Sequence, residues 1–276
     1  MNEVTIKDMK LYHAVDRIHR DLQAEGFGRT DALPLEVLTR FDQLHYFGTD
    51  AVDEAAEVLN VQPGARVLDI GSGFGGPARY FADRTRAQVD AVELQADLNE
   101  TAADLTARTA LNGTVQHVCG DILTVPLDPE SLDGAFSYLA LYHIPGREPL
   151  FPRLHAAMKP GAAIYVEDLY SKAPLNEKEA TLMREALFGN TLPDRDAYAA
   201  ELSNAGFTDI DFQDQSFAWG QFCADRLAQF RAAQDRVLGV HGQDVVAALD
   251  AFYSTMVELF DGGNMGGVRL VARKAG

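Results

Sequence analysis

Residues 66–76 read Arg-Val-Leu-Asp-Ile-Gly-Ser-Gly-Phe-Gly-Gly, and Pro77-Ala-Arg-Tyr-Phe-Ala82 follows at once. A short apolar run, a glycine turn and a helix-favouring stretch in that order predict a strand that hands over to a helix through a backbone free to take positive φ. A ligand can lie against the main chain of such a turn, and the new helix offers unpaired N–H groups to an anionic group. Gly71, Gly73 and Gly76 also satisfy the G-x-G-x-x-G spacing of a dinucleotide-binding turn, so the glycines alone do not choose the ligand.

Asp69 bears on that choice. A carboxylate at the strand end would face a pyrophosphate with like charge, at a cost of about 1–4 kcal/mol at close range. S-adenosylmethionine presents an ammonium, a sulfonium and a ribose diol but no phosphate, and its own carboxylate can take the helix N-terminus. The sequence therefore favours the methyl donor over a nicotinamide or flavin nucleotide, or a glycine turn with no ligand.

Outward from this turn, apolar runs alternate with helix-favouring stretches. Strands are expected at 66–70, 88–93, 115–120, 134–138 and 162–167, and helices at 77–86, 98–111 and 150–158. Met158-Lys159-Pro160-Gly161 should end the last helix. Two further strands are expected at 207–212 and 267–273. The implied fold is α/β: a Rossmann-like, seven-stranded, mostly parallel sheet with helices on both faces. Residues 1–60, with Leu11, Val15, Ile18 and Leu22 on one face, are expected to form an N-terminal helical cap on a domain of residues 61–276. Val245, Leu249, Phe252, Met256 and Leu259 recur at helical spacing, which predicts a helical insertion at about 218–262 and reads first as a packing stripe.

The chain has 276 residues, 47% of them hydrophobic, enough for one domain with an added cap. No stretch approaches the roughly 20 apolar residues that span a bilayer, and the polar start lacks a secretory pattern. A cytoplasmic protein without membrane insertion is expected. Cys119 and Cys223 are too few for a disulfide framework. The seven histidines are scattered without ligand spacing, so no metal is expected. Acidic residues outnumber basic ones by 41 to 24, for a net charge of −17, which argues against binding of nucleic acid or anionic membrane and modestly favours cationic small molecules, although surface solubility alone accounts for it. Oligomeric state, a homodimer included, is left open.

Three motifs together resemble class I S-adenosylmethionine-dependent methyltransferases, over roughly residues 40–276. They are Asp69 to Gly75, Glu93 at the end of the second strand, and Gly120-Asp121-Ile122. Lys159-Pro160-Gly161 matches the turn before the fifth strand, with Ala162 where a second glycine is common. Phe41-Asp-Gln-Leu-His-Tyr46, Gly75-Gly-Pro-Ala-Arg-Tyr80 and Leu141-Tyr-His-Ile-Pro145 are more closely similar to sarcosine and dimethylglycine N-methyltransferases, and more loosely to sterol, tocopherol and quinone methyltransferases. The resemblance implies S-adenosylmethionine as cofactor, S-adenosylhomocysteine as product and a small-molecule acceptor. Glycine-betaine-type N-methylation of an amine comes first. C- or O-methylation of a lipid-like or aromatic metabolite is the alternative, and binding without turnover a third reading.

On this basis Gly71, Ser72, Gly73 and Gly76 are expected to cradle the cofactor, and Asp69 to orient the glycine turn and the methionine ammonium. Glu93 can accept both ribose hydroxyls, or be a solvated loop acid. Leu94 and Gln95 should lie along the adenine, Asp121 and Ile122 at its edge, and Leu139 near the methionine end. His143 could orient an acceptor or hold a proton, or make a structural hydrogen bond. Glu167 and Asp168 are expected to anchor a cationic acceptor, framed by Tyr12, His45, Tyr46, Tyr142, Tyr170 and Trp219, with Asn264 in a nearby turn. An aromatic wall stabilises a methylated ammonium by about 0.5–2 kcal/mol per contact. Core packing is the alternative for each ring.

Overall fold

The structure, a computed structural model, describes residues 14–276. Leu11 and Tyr12 lie outside the described residues. Three helices come first: α1 (Arg17–Ala24), α2 (Leu35–Leu38) and α3 (Thr49–Leu59). Then follow β1 (Arg66–Ile70), α4 (Gly76–Thr85), β2 (Gln88–Glu93), α5 (Ala96–Ala107), β3 (Val115–Cys119), β4 (Leu132–Tyr138), α6 (Leu150–Ala157) and β5 (Met158–Ser171). The remainder is α7 (Glu177–Glu185), α8 (Arg195–Asn204), β6 (Phe207–Asp214), α9 (Ser216–Ala232), α10 (Gln234–His241), α11 (Gln243–Gly262) and β7 (Met265–Lys274).

The seven strands form one sheet in the order β3-β2-β1-β4-β5-β7-β6, parallel except for β7, which runs antiparallel to β5 and β6. Successive side chains on a strand face opposite ways, so β1 feeds two cores. Val67 packs with Ala55 and Leu59 of α3 and Phe81 of α4, while Leu68 and Ile70 pack with Leu150 and Leu154 of α6 and Tyr198 and Leu202 of α8. Each such fully buried large side chain stabilises the fold by roughly 1.5–3 kcal/mol.

Chain order reverses direction at β1, which has β2 on one side and β4 on the other. In open α/β sheets such a switch point opens a crevice beyond the carboxyl ends of the strands. The glycine turn, Glu93 and Leu139 all sit at those ends.

The structure departs from the sequence expectation in three places. The fifth strand is 14 residues long and runs on to Ser171, well past Glu167. Residues between it and β6 form α7 and α8, which the apolar pattern does not show. The insertion begins at Ser216 and comprises three helices, of which α10 meets α1: the His241 carbonyl accepts from Arg20 Nη1 at 3.1 Å, and His241 Nε2 lies 2.8 Å from Asp21 Oδ1. Among the described residues no helix is long and apolar enough to cross a membrane.

Candidate active site

A cavity of about 440 Å³ opens at the switch point. Its floor is the glycine turn. Gly71 has φ +74°, and a Cβ there would collide with the Cβ of Ala140, so no larger residue fits. Gly73, at φ +53°, donates its N–H to Glu93 Oε2 at 2.9 Å, and Gln95 N–H donates to Glu93 Oε1 at 2.9 Å. Glu93 therefore braces the turn, and each carboxylate oxygen keeps a further lone pair for a ligand hydroxyl.

Asp69 lines the same cavity with 1% of its surface exposed, and its Oδ2 has no hydrogen-bond partner. Burial, reinforced by the nearby Glu93 carboxylate, pushes its pKa well above the usual range. Ser72 Oγ on the same wall is also buried and unpartnered. Polar groups held dry without partners lack compensation until a ligand supplies it. These two want hydrogen-bond donors, and for Asp69 a cation.

Leu94, Gln95, Asp121 and Ile122 complete one end of the cavity, with Asp121 Oδ1 accepting from the Leu123 N–H at 2.9 Å. Gly76 is not part of the lining. Its Cβ position is filled by the backbone carbonyl of Asp42, so glycine is needed there for close packing rather than for a ligand. Asp42, Leu44 and His45, from the segment between α2 and α3, cover the mouth. Asp42 is held by Arg79, whose guanidinium also reaches the carbonyl of Phe74 at 2.5 Å and Thr106 Oγ1 at 2.9 Å.

A second cavity of about 500 Å³ adjoins the first. Leu44, Phe74, Leu139 and His143 line both. Its other walls are largely apolar, with Leu187 and Phe188 on one side and Val245, Leu249, Phe252 and Met256 of α11 on another. The helical stripe of the insertion is thus mostly a cavity wall rather than plain packing; Leu259 alone of the five does not line it, and Met256 belongs to both wall and core. Tyr46 and Tyr142 line this cavity too, and its charged residues are Arg17, Arg226 and Asp244.

His143 stands at the junction. Its Nδ1 lies 3.2 Å from the Phe188 carbonyl oxygen, which can only accept, so Nδ1 carries the proton and Nε2 the lone pair. Burial lowers its pKa to about 4, keeping the ring neutral at ordinary pH. Leu139 beside it has φ +53°, a left-handed backbone that costs an L residue roughly 1–2 kcal/mol.

Several residues expected at the acceptor lie elsewhere. His45 lines the first cavity, its Nε2 2.9 Å from the Gly48 carbonyl and its ring stacked on Tyr138. Glu167 and Asp168 face neither cavity. Because β5 continues past them they are interior strand residues: Glu167 accepts from Tyr165 Oη at 2.9 Å, and Asp168 accepts from Tyr198 Oη at 2.8 Å beside Arg147. Trp219 packs on Gly267, Tyr170 meets Phe212 edge-on, and Asn264 donates to Glu179 Oε2 at 2.8 Å; none reaches either cavity. Tyr12 lies outside the described residues. Sequence reasoning missed Asp42, Leu44 and Phe74. The first two belong to the Phe41–Tyr46 segment and Phe74 to the glycine turn, so the signal was present without its geometry.

The family described as methyltransferase domain matches residues 68–166. A curated relative, sterol methyltransferase-like 3 from Botryococcus braunii, is 33% identical over 142 residues, covering 50% of this chain and 36% of that protein. Phosphoethanolamine N-methyltransferase 1 from Zea mays is 28% identical over 199 residues, covering 71% of this chain and 39% of that protein. The chain thus spans well under half the length of these curated relatives. Among solved structures, Haemonchus contortus phosphoethanolamine N-methyltransferase 2 in complex with S-adenosyl-L-methionine superposes with a TM-score of 0.79 at 20% identity, covering 97% of this chain and 60% of that one. At that identity the likeness speaks for the fold.

Proposed function

We infer that this chain, which carries a class I S-adenosylmethionine-dependent methyltransferase domain, holds the methyl donor in the first cavity and a small-molecule acceptor in the second. The observation that supports this reading is the pair of cavities meeting at Leu139 and His143, one lined by the unpartnered Asp69 carboxylate and the other mostly by apolar side chains. Asp69 would take the cofactor's ammonium, Glu93 the ribose hydroxyls, and Gln95, Asp121 and Ile122 the adenine end. When bound, S-adenosylmethionine supplies a methyl group already activated by its sulfonium.

The protein's tasks are then alignment and exclusion of water. Holding two reactants in line is worth up to about 7–11 kcal/mol. Leu44, Phe74 and Leu139 keep the junction dry, and the neutral His143 ring has a lone pair on Nε2 for an acceptor proton. The apolar walls of the second cavity favour an acceptor with an apolar body that attacks the methyl group through carbon or oxygen. Tyr46 and Tyr142 are the features there that suit a methylated amine. The charge of −17 argues against nucleic acid as substrate.

Calorimetry with S-adenosylmethionine, S-adenosylhomocysteine and NAD tests the cofactor. Incubation with methyl-labelled donor and a panel of amines, phenols and unsaturated lipids, read by mass spectrometry, tests the transfer. Binding of NAD alone would end this reading, and donor binding without any methylated product would leave a sensor.

A further inference from the structure

Arg226 of α9 projects into the acceptor cavity from a half-buried position and has no ion-pair partner among the described residues. It is nevertheless held in place. Its guanidinium lies 5.2 Å from the centroid of Tyr253 and 5.8 Å from that of Phe222. Arg17 of α1 lines the same cavity, and no ion pair joins it to another described residue. Asp244 is the acid among the lining residues, and it is exposed to solvent.

The aromatic faces hold the guanidinium in place and leave its N–H donors, arranged in a fork, free to take an anion entering the cavity. Among the described residues, two cations and one anion line a cavity whose remaining walls are mostly hydrocarbon.

Resting on the reading of this cavity as the acceptor site, we propose that the acceptor is a monoanionic amphiphile: an apolar body lying along α11 with a carboxylate seated on Arg226. A single negative charge matches the surplus of one positive charge among the described lining residues. The forked guanidinium suits a planar carboxylate, and the hydrocarbon walls suit its tail. The reacting atom would then lie at the far side, toward Leu139 and His143, and Arg226 would set which atom of the chain arrives there.

The test uses protein saturated with S-adenosylhomocysteine and four ligands of equal chain length: decanoate, decan-1-ol, decylammonium and decyl phosphate. Decanoate should bind roughly tenfold or more tightly than decan-1-ol, as expected for a charge-assisted pair. Arg226→Ala should abolish that advantage while leaving decan-1-ol unchanged, and Arg226→Lys should retain part of it. Decylammonium binding as well as decanoate, decanoate binding Arg226→Ala undiminished, or no ligand binding at all would overturn the proposal. Decyl phosphate binding tenfold more tightly than decanoate would overturn the monoanion. Affinity for S-adenosylhomocysteine, measured first in each variant, reports folding and the cofactor reading separately, and repeating the titrations without it reads the second cavity alone.

Discussion

Asp42 and Arg79 form an ion pair at 2.9 Å in which neither side chain has any solvent exposure. The pair fastens the segment over the cofactor mouth to the first turns of α4, and the same guanidinium fixes the Phe74 carbonyl and reaches α5 through Thr106. One side chain thus spans three elements around the glycine turn.

Removing one partner of such a pair strands the other charge without water. Arg79→Met should cost about 3–5 kcal/mol in chemical denaturation, whereas Arg79→Met combined with Asp42→Leu should recover part of the loss. A double variant that loses the sum of the losses of Arg79→Met and Asp42→Leu alone would show that the two groups act independently.

Leu139 offers a test of backbone strain at the junction. Leu139→Ala and Leu139→Gly remove the same wall and should lower kcat/KM alike, but the glycine variant should be the more stable by about 1 kcal/mol, because only glycine takes φ +53° without cost. Thermal denaturation of the two variants decides it, and an alanine variant as stable as glycine would refute the strain.

Burial raises the Glu167 pKa to about 7, and its Oε2 has no partner. The folded state therefore binds this proton more tightly than the unfolded chain, whose glutamates titrate near 4.3. The stabilisation is complete below that range and is lost as pH rises through about 7. The buried rings of His45, His117 and His143, each lowered to about 4, act in the opposite sense below about pH 6.5, where only the unfolded chain takes up their protons. At high pH they are neutral in both states. Relative to the native protein, Glu167→Gln should gain stability as pH rises from about 4.5 to 7, read from denaturant midpoints at each pH. A difference between the two proteins that does not change with pH would remove Glu167 as a proton-binding group of the fold.

For His143 the lowered pKa predicts that kcat/KM shows no acid limb near 6.5, the ring staying neutral down to about 4. If it accepts the acceptor's proton, His143→Ala should lower kcat by roughly 10²-fold or more. An effect confined to KM would make it a wall residue.

The glycine turn and the strand ends at Glu93 and Asp121 were legible because their chemistry is local: a turn needs its glycines, and an acid at a parallel strand end faces the crevice. Glu167 and Asp168 were misjudged for an equally local reason. Two adjacent acids look like a strand's end, but the hydroxyl of Tyr165 on the same strand, together with the Tyr198 hydroxyl and the Arg147 guanidinium from more distant positions, allows the strand to carry them through its interior. Trp219 and Gly267 are 48 positions apart, and no periodicity announces that the indole occupies the space a side chain at 267 would need. The second cavity was hidden because its lining is drawn from α1, the glycine turn, α9 and α11 at once.

The strand order has a consequence for synthesis. β6 hydrogen-bonds only to β7, and β7 also completes the outer side of β5. A ribosome that has released everything through α11 holds a sheet whose growing margin is still bare and a strand that has nowhere to dock. Both needs are met at once when the stretch from Met265 to Lys274 emerges and slides between them, so a nascent chain stalled just short of that point exposes an adhesive edge to its neighbours.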